Sequence, residues 1–323
     1  MAGAAGMYLT FLRVPLIVKI SSVGFFIGCF LSASPYTSFT SYISFVACLY
    51  FFCICWRFVD HQIVMRMLAP LIILNILLMA FQAWRSDSLL NFGGVMSSYG
   101  TVGQYMQMAS FSVILSAALL SFSPVNLLFP VIATFFCNSA GALLSAIAGA
   151  GVFLFSYHKE IAAKIFVPLL AIFLIFAFST GKIQSNISSK NGRLNTWSKT
   201  IELANERPWA GWGPCTYKYL FPAMCGIDSL SWKMAHNCWL QILFEYGRIG
   251  LAVFIGYFVY LFISLFRIMS RAIFRPQAVS CLAGLAMISI NMMIHFPTRM
   301  IQTVLIILFF LAYCEGVISH ARE

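Results

Sequence analysis

Residues 237–264 read NCWLQILFEYGRIGLAVFIGYFVYLFIS, and this run decides the fold class of the chain. A helix of mostly apolar residues crosses a bilayer with about 20 positions, and this run is long enough. Its first half nevertheless carries polar side chains that lipid would penalise. The run predicts a membrane-spanning helix whose polar side chains are concentrated near its N-terminal end.

Apolar runs of similar length recur on both sides of this one. Of the 323 residues, 61% are hydrophobic and 9% are charged, against about 25% charged residues in soluble proteins. We therefore predict an all-α, polytopic transmembrane bundle that forms one integral domain over residues 1–323, with about ten spans. The predicted spans lie at 14–33, 39–56, 67–84, 102–121, 124–137, 139–157, 163–180, 237–264, 278–294 and 299–317. The fifth run is short, so 124–157 as one broken segment is the alternative.

The net charge of +11 indicates topology rather than nucleic-acid binding, because the basic residues stand in loops beside the spans. The short loops assigned to one side hold Arg13, Lys19, Arg57, Arg66, Lys159, Lys164, Arg267, Arg271 and Arg275. By the positive-inside rule both termini lie in the cytoplasm, and the long loop 181–236 faces outside. We expect no nucleic-acid partner.

Small residues and cysteines give two local expectations. The segment 138–151 repeats small residues at four-residue spacing, which is typical of close helix packing in lipid, with a glycine-lined pore as the alternative. The chain has ten cysteines, most of them inside apolar runs, where they are expected to be small core residues. A Cys215–Cys225 disulfide remains an open alternative if the loop is extracytoplasmic.

The loop preceding residue 237 has two parts. Residues 191–206 have a helical pattern that ends at Arg207–Pro208, and Leu194, Trp197, Ile201 and Ala204 recur on one face. We expect that face to lie in the membrane interface. The turn PWAGWGP at 208–214 contains two glycines and two prolines, so its backbone can approach a ligand closely.

A polar stripe is predicted on the following helix. Asn237, Gln241, Glu245 and Arg248 fall within about 80° of one another and extend for about 16 Å along a regular helix. They are expected to line a cavity or to form a mutually satisfied seam, with Glu245 and Arg248 able to pair. His236 stands at the mouth of this helix, and an imidazole can accept a proton near neutral pH.

Four short motifs occur in order around this loop: GRxxxW at 192–197, PxxGxG at 208–213, AHNxxL at 235–240 and ExGxxG at 245–250. Together they resemble the O-antigen ligase and polymerase superfamily of bacterial envelope glycosyltransferases. Weaker similarities at 100–104 and 295–297 extend the resemblance over roughly residues 85 to 317.

The resemblance implies a GT-C-like fold in the cytoplasmic (inner) membrane, with the active site facing the periplasm or cell exterior. It implies transfer of a glycan from an undecaprenyl-pyrophosphate-linked oligosaccharide to an acceptor glycan or lipid A core, without a metal or cofactor, among membrane lipids. By motif position, His236 and Arg193 correspond to the catalytic His and Arg. A guanidinium can bind a diphosphate in fork geometry, and stabilising that leaving group would be the largest catalytic term. The expected substrate-binding residues are Lys199, Arg207, Gly211, Trp212, Gly213, Asn237, Glu245 and Arg299.

The chain departs from the family pattern at one phosphate-binding position. Family members often carry Ser-Arg where this chain has Ser139–Ala140, so a second arginine is missing. Arg207, Lys182, Arg85 and Arg299 are candidates to replace that charge. A non-catalytic family member is therefore one alternative. The other is a transporter of polyprenyl-linked glycans or anionic solutes, since the polar stripe on 237–248 and the segment 138–151 would suit a translocation path. Ligase, polymerase and protein O-glycosyltransferase activities are not separated by the sequence.

Overall fold

The computed structural model describes residues 16–85, 105–137, 139–157, 193–225 and 233–322. Within these residues the regular structure is entirely helical. The helices, numbered in chain order, are α1 (Leu16–Phe30), α2 (Pro35–Phe58), α3 (His61–Arg85), α4 (Tyr105–Leu119), α5 (Leu128–Cys137), α6 (Ala140–Tyr157), α7 (Arg193–Glu206), α8 (Tyr217–Cys225), α9 (Cys238–Ile268), α10 (Arg275–Ile294) and α11 (Ile301–His320). Short 3-10 helices cover Pro124–Leu127 and Pro297–Arg299.

Six of the described helices are long and apolar enough to cross a membrane: Pro35–Phe58, His61–Phe81, Ala140–Tyr157, Cys238–Ile268, Arg275–Ile294 and Ile301–His320. The chain is therefore a multi-pass, all-helical membrane protein, as composition predicted. Gln107–Leu119 and Pro124–Cys137 are shorter apolar helices. The predicted span 163–180 lies outside the described residues, so the total of about ten spans stays a prediction.

The helix α4 forms the centre of the bundle. Every residue from Met108 to Leu120 is buried, including its serines. Around it lie α10 and α11, and α10 also packs along α6 and α9. The face that α6 presents to α10 carries small residues, as predicted: a Cβ on Gly149 would lie 2.6 Å from Cγ of Met287. The prediction that the small residues in 138–151 allow close helix packing is thus confirmed.

The bundle has two chemically different ends. At one, which we call the basic end, Arg271 donates to the carbonyl of Ala321 and Arg275 donates to that of Ser156 over 2.6 Å. At the other, the site end, α9 and α11 begin and α10 finishes at Ile294. Which end faces the cytoplasm stays a prediction.

The helix α9 is broken near its start. Gly247 has φ +66 and ψ −166, a combination essentially restricted to glycine, and it divides α9 into residues 238–246 and 248–268. The second part extends for about 31 Å, close to the thickness of the hydrocarbon core. The break folds residues 238–246 back beside the second part, since the centroid of the Trp239 ring lies 5.2 Å from that of Phe254 and 5.4 Å from that of Phe258.

Candidate functional site

The turn at 208–214 docks into the break in α9. A helix that stops leaves its last carbonyls without intrahelical donors. Here the amide of Trp212 donates to the carbonyl of Phe244 over 2.9 Å, and the amide of Gly213 donates to that of Glu245 over 2.9 Å. The two motifs PxxGxG and ExGxxG thus form one backbone interlock.

The same interlock satisfies the amides on the far side of the break. The amide of Arg248 donates to the carbonyl of Pro208 over 2.7 Å. A Cβ on Gly247 would lie 2.3 Å from the Trp209 oxygen, and one on Gly211 would lie 2.5 Å from the Gly247 nitrogen. The close approach predicted for this turn is therefore an approach to α9, and contact of Gly211 with substrate stays a prediction.

The carboxylate of Glu245 holds the start of α8. It is 6% exposed and accepts from the amides of Cys215 over 3.0 Å and Tyr217 over 3.2 Å. The side-chain amide of Gln241 donates to it over 3.3 Å. This carboxylate therefore acts as a cap for the helix Tyr217–Cys225, since the first amides of a helix lack intrahelical partners.

The predicted polar stripe from Asn237 to Arg248 is interrupted at Gly247. Asn237 is the N-cap, accepting from the Leu240 amide over 3.1 Å, and Gln241 reaches Glu245. Arg248 lies past the break and donates to Asn205 over 3.2 Å. The expected Glu245–Arg248 pair was wrong, because Gly247 ends the regular helix between them.

The helix α7 packs on the protein through a face that carries two threonines, and the placement of its apolar face in the membrane interface stays a prediction. Its buried residues are Thr196, Thr200, Leu203 and Ala204. The threonine hydroxyls permit this burial, since that of Thr200 bonds the Thr196 carbonyl at 2.7 Å and lies 2.8 Å from the Tyr217 hydroxyl. Of the predicted interfacial face, Leu194 and Ile201 are exposed, at 48% and 43%, and Ala204 is buried.

Arg193 opens α7 at the site end of the bundle. Its Nη1 donates over 3.1 Å to the carbonyl of Ile294, the last residue of α10. One turn further on, Nε1 of Trp197 donates over 2.9 Å to the carbonyl of Ala235. The motif GRxxxW is thus fastened both to the end of α10 and to the residue that precedes His236.

His236 lies in the short segment that leads into α9. Its φ of +52 is rare for a residue with a side chain, and the half-buried imidazole meets the ring of Phe296 edge-on at 4.8 Å between centroids. Phe296 follows Ile294 by two positions. Arg193 and His236 therefore contact the same three-residue segment, 294–296.

The middle residue of that segment, His295, is a further polar group of the site. It is 4% exposed, and its Nε2 lies 3.2 Å from Oγ of Ser139, just before α6. A Cβ on Gly141 would lie 2.5 Å from the same nitrogen. The thiol of Cys238 approaches the His295 carbonyl at 3.6 Å. Ser139 and His295 were absent from the predicted set, although HFP after an apolar run was a signal for the second.

The remaining predicted residues have other surroundings. Lys199 is exposed and pairs with Glu202 over 2.7 Å. The exposed Arg207 lies over the ring of Trp212 at 4.8 Å, and Nε1 of Trp212 donates to the Leu203 carbonyl. Arg299 belongs to the 3-10 helix Pro297–Arg299, and its side chain is not described, while Arg85 and Lys182 likewise fall outside the described side chains. The substrate-binding roles of these residues stay predictions.

The loop between α1 and α2 fastens the interlock to the first helices. The amide of Ala33 donates to the Trp212 carbonyl over 2.9 Å, and Oγ of Ser38 donates to the Pro214 carbonyl over 2.8 Å. A Cβ on Gly213 would lie 1.9 Å from Oγ of Ser32. The turn at 208–214 is therefore held on both sides.

Cys215 and Cys225 both carry free thiols, so the alternative of a disulfide between them is not realised. Burial raises the pKa of each thiol, and for Cys215 the neighbouring Glu245 raises it further. Within the described residues no group of three or more His, Cys, Asp or Glu could hold a metal ion. Whether the reaction uses a metal stays a prediction.

Comparison with known proteins supports the resemblance seen in the motifs. Residues 125–255 match the family described as O-antigen ligase. That segment contains Ser139, Arg193, the interlock and His236, and it ends before His295. No curated protein matches the chain. This match confirms the predicted resemblance to the O-antigen ligase and polymerase family.

Proposed function

We propose, from the match of residues 125–255 to O-antigen ligase, that this membrane protein is an envelope glycosyltransferase. It transfers a glycan from an undecaprenyl-pyrophosphate carrier to an acceptor hydroxyl on the outer face of the cytoplasmic membrane. The observation that carries the proposal is the meeting of Arg193 and His236 on segment 294–296. Two residues of the motifs that are 43 positions apart thereby come together at one end of the bundle.

The chemistry follows from the two side chains. The acceptor oxygen loses its proton to the His236 imidazole and forms a bond to the anomeric carbon as the bond from that carbon to the diphosphate breaks. The diphosphate leaves with its negative charge, and the Arg193 guanidinium stabilises that charge. Displacement in one step inverts the configuration at the anomeric carbon.

The fold supports this reaction by positioning rather than by additional reacting groups. Arg193 is oriented by the Ile294 carbonyl, and the His236 ring is oriented by Phe296. A site that fixes both side chains can hold carrier and acceptor in reacting geometry, which is a large part of catalysis in transfers between two bound substrates. Ala140, next to Ser139, removes one expected phosphate contact, so the charge on Arg193 matters more here.

The transporter alternative loses one of the two features that favoured it, the polar stripe; the other is the segment 138–151. Its path depended on a continuous polar stripe down α9, and the stripe ends at Gly247. Glu245 in that stripe is already bonded to the Cys215 and Tyr217 amides.

Surface glycan from a strain lacking the gene tests the proposal. Complementation with the wild-type chain is expected to restore glycan on a gel, and complementation with His236→Ala is expected to leave the knockout pattern. Single repeat units on the acceptor in the knockout identify a polymerase, and free carrier-linked chains identify a ligase. Normal glycan in the knockout strain would reject the proposed function.

A further inference from the structure

Two exposed arginines, Arg207 and Arg248, lie near the start of the second part of α9. We propose that Arg207 and Arg248, each stacked on a tryptophan of the turn at 208–214, form a docking surface for the phosphate headgroup of an anionic phospholipid in the adjoining leaflet. The surface is defined by Arg207, Trp209, Trp212 and Arg248, with Ile249 beside it.

The location follows from the break in α9. Residues 248–268 have the length of a bilayer span, so Arg248 stands at its site-end boundary. The next residue, Ile249, is 60% exposed, and Ile255, Val259, Ile263 and Phe266 are also exposed. An apolar face of this kind requires lipid, which places lipid headgroups at the level of Arg248.

The interlock brings the backbones of the two arginines together. The amide of Arg248 bonds the carbonyl of Pro208, the neighbour of Arg207. The guanidinium of Arg207 lies 4.8 Å from the centroid of Trp212, and that of Arg248 lies 5.8 Å from the centroid of Trp209. Stacking on an indole restricts a guanidinium without using up its N–H donors.

Among the residues that the structure describes, no acidic side chain pairs with either arginine. Within the described residues the ion pair found is Lys199–Glu202, and it includes neither arginine. Arg248 donates one bond to the amide oxygen of Asn205, which carries no charge. Exposed guanidinium forks therefore remain available to an anion that approaches from the lipid side.

The adjoining surface fits a phospholipid in particular. Trp209 is 64% exposed beside Arg248, and tryptophan is favoured at headgroup depth because its ring is apolar and its N–H is polar. A phosphate held by arginine, with acyl chains lying along the apolar face of 248–268, satisfies both parts of the surface. The charge complementarity selects an anionic lipid over a zwitterionic one.

Quenching of tryptophan by brominated lipids tests this assignment on the full chain in vesicles. The chain has seven tryptophans, so the contribution of Trp209 is taken as the difference between the wild type and Trp209→Phe. Brominated phosphatidylglycerol is expected to quench Trp209 half-maximally at a mole fraction about fivefold lower than brominated phosphatidylcholine. Equal quenching by the two lipids would overturn the proposal.

The variants Arg207→Gln, Arg248→Gln and their combination are expected to reduce the preference stepwise. Arg267→Gln is the matched control, because it removes the same charge from the other end of α9. A preference unchanged in the double variant would contradict the assignment. If the double variant does not fold, high ionic strength applied to the wild type must reduce the preference, and a preference insensitive to salt would overturn the proposal. The proposal would also be overturned if undecaprenyl diphosphate relieved the quenching and phosphatidylglycerol showed no preference. That result would indicate that the arginines bind the diphosphate of the glycan carrier.

Discussion

The carbonyl of Trp209 lies against the backbone of Gly247, so closely that a Cβ on Gly247 would be 2.3 Å from the oxygen. Trp209 belongs to the motif PxxGxG and Gly247 to the motif ExGxxG. The contact therefore joins two motifs through residues that are 38 positions apart in the sequence. Through it, the turn at 208–214 closes the break in α9 and holds the start of α8 through Glu245. The geometry at the site end depends on this contact.

Gly247→Ala is expected to destabilise the protein, because alanine is strained at φ +66 and its methyl group meets backbone. The φ and ψ alone cost about 1–3 kcal/mol. The melting temperature of the purified protein in detergent measures the loss. Gly256→Ala is the control on the same helix, since a Cβ there meets nothing within 4 Å. Equal melting temperatures for the two variants would contradict the interlock.

Glu245→Gln is expected to lower stability by about 1–3 kcal/mol, because one of the two carboxyl oxygens that accept from buried amides is replaced by an NH2 group, which cannot accept. The matched control is Glu202→Gln, which removes an exposed partner of Lys199 and is expected to change stability by less than about 0.5 kcal/mol. If Glu245→Gln melts like the wild type but binds carrier less tightly, Glu245 is a substrate contact as the sequence predicted, and its capping role is minor.

Gly141→Ala is expected to impair glycan transfer, because the new methyl group would displace the His295 ring and with it segment 294–296. Displacements of about 1 Å in a catalytic site cost as much as 100-fold in rate. Gly316→Ala in α11 is the control, since a Cβ there has open space. Transfer measured relative to protein in the membrane separates this effect from poor insertion. Wild-type transfer by Gly141→Ala would show that segment 294–296 does not position the site.

The thiols of Cys215 and Cys225 are expected to react slowly with an alkylating reagent near neutral pH. Their raised pKa values reduce the thiolate fraction at a given pH, and only the thiolate reacts. The rate should therefore rise with pH, by about tenfold per unit, until pH passes the raised pKa of each thiol. Peptide mapping by mass spectrometry follows each thiol, and the denatured chain supplies the reference rate. A Cys215–Cys225 crosslink in the unreduced protein would contradict the free thiols.

The sequence predicted what depends on local pattern. Apolar runs gave the helical membrane fold, and the pattern at 191–206 gave α7 within two residues of its described start at Arg193. The burial of Thr196 and Thr200 was not predicted, because the Thr200 hydroxyl is satisfied by the Thr196 carbonyl and by Tyr217, which hydropathy does not register. The break at Gly247 was missed because the apolar pattern continues through it.

The candidate site was predicted only where its residues belong to local motifs. Arg193 and His236 were identified by motif, whereas Ser139 and His295 are 156 positions apart and meet only because α6 packs along α10. The packing of Gly211 against α9 and of Gly213 against Ser32 was likewise not predicted. Contacts of this range depend on tertiary packing, which one sequence does not display.

The most direct test of the account compares surface glycan made by Arg193→Gln and His236→Ala with that made by the wild type, at equal amounts of inserted protein. Loss of a base alone costs about 100- to 10,000-fold, so both variants are expected to yield no glycan on the gel. Arg267→Gln and His320→Ala, at the basic end, are expected to retain the wild-type pattern. Normal glycan from both Arg193→Gln and His236→Ala would contradict the proposal that these two residues form the site of glycan transfer.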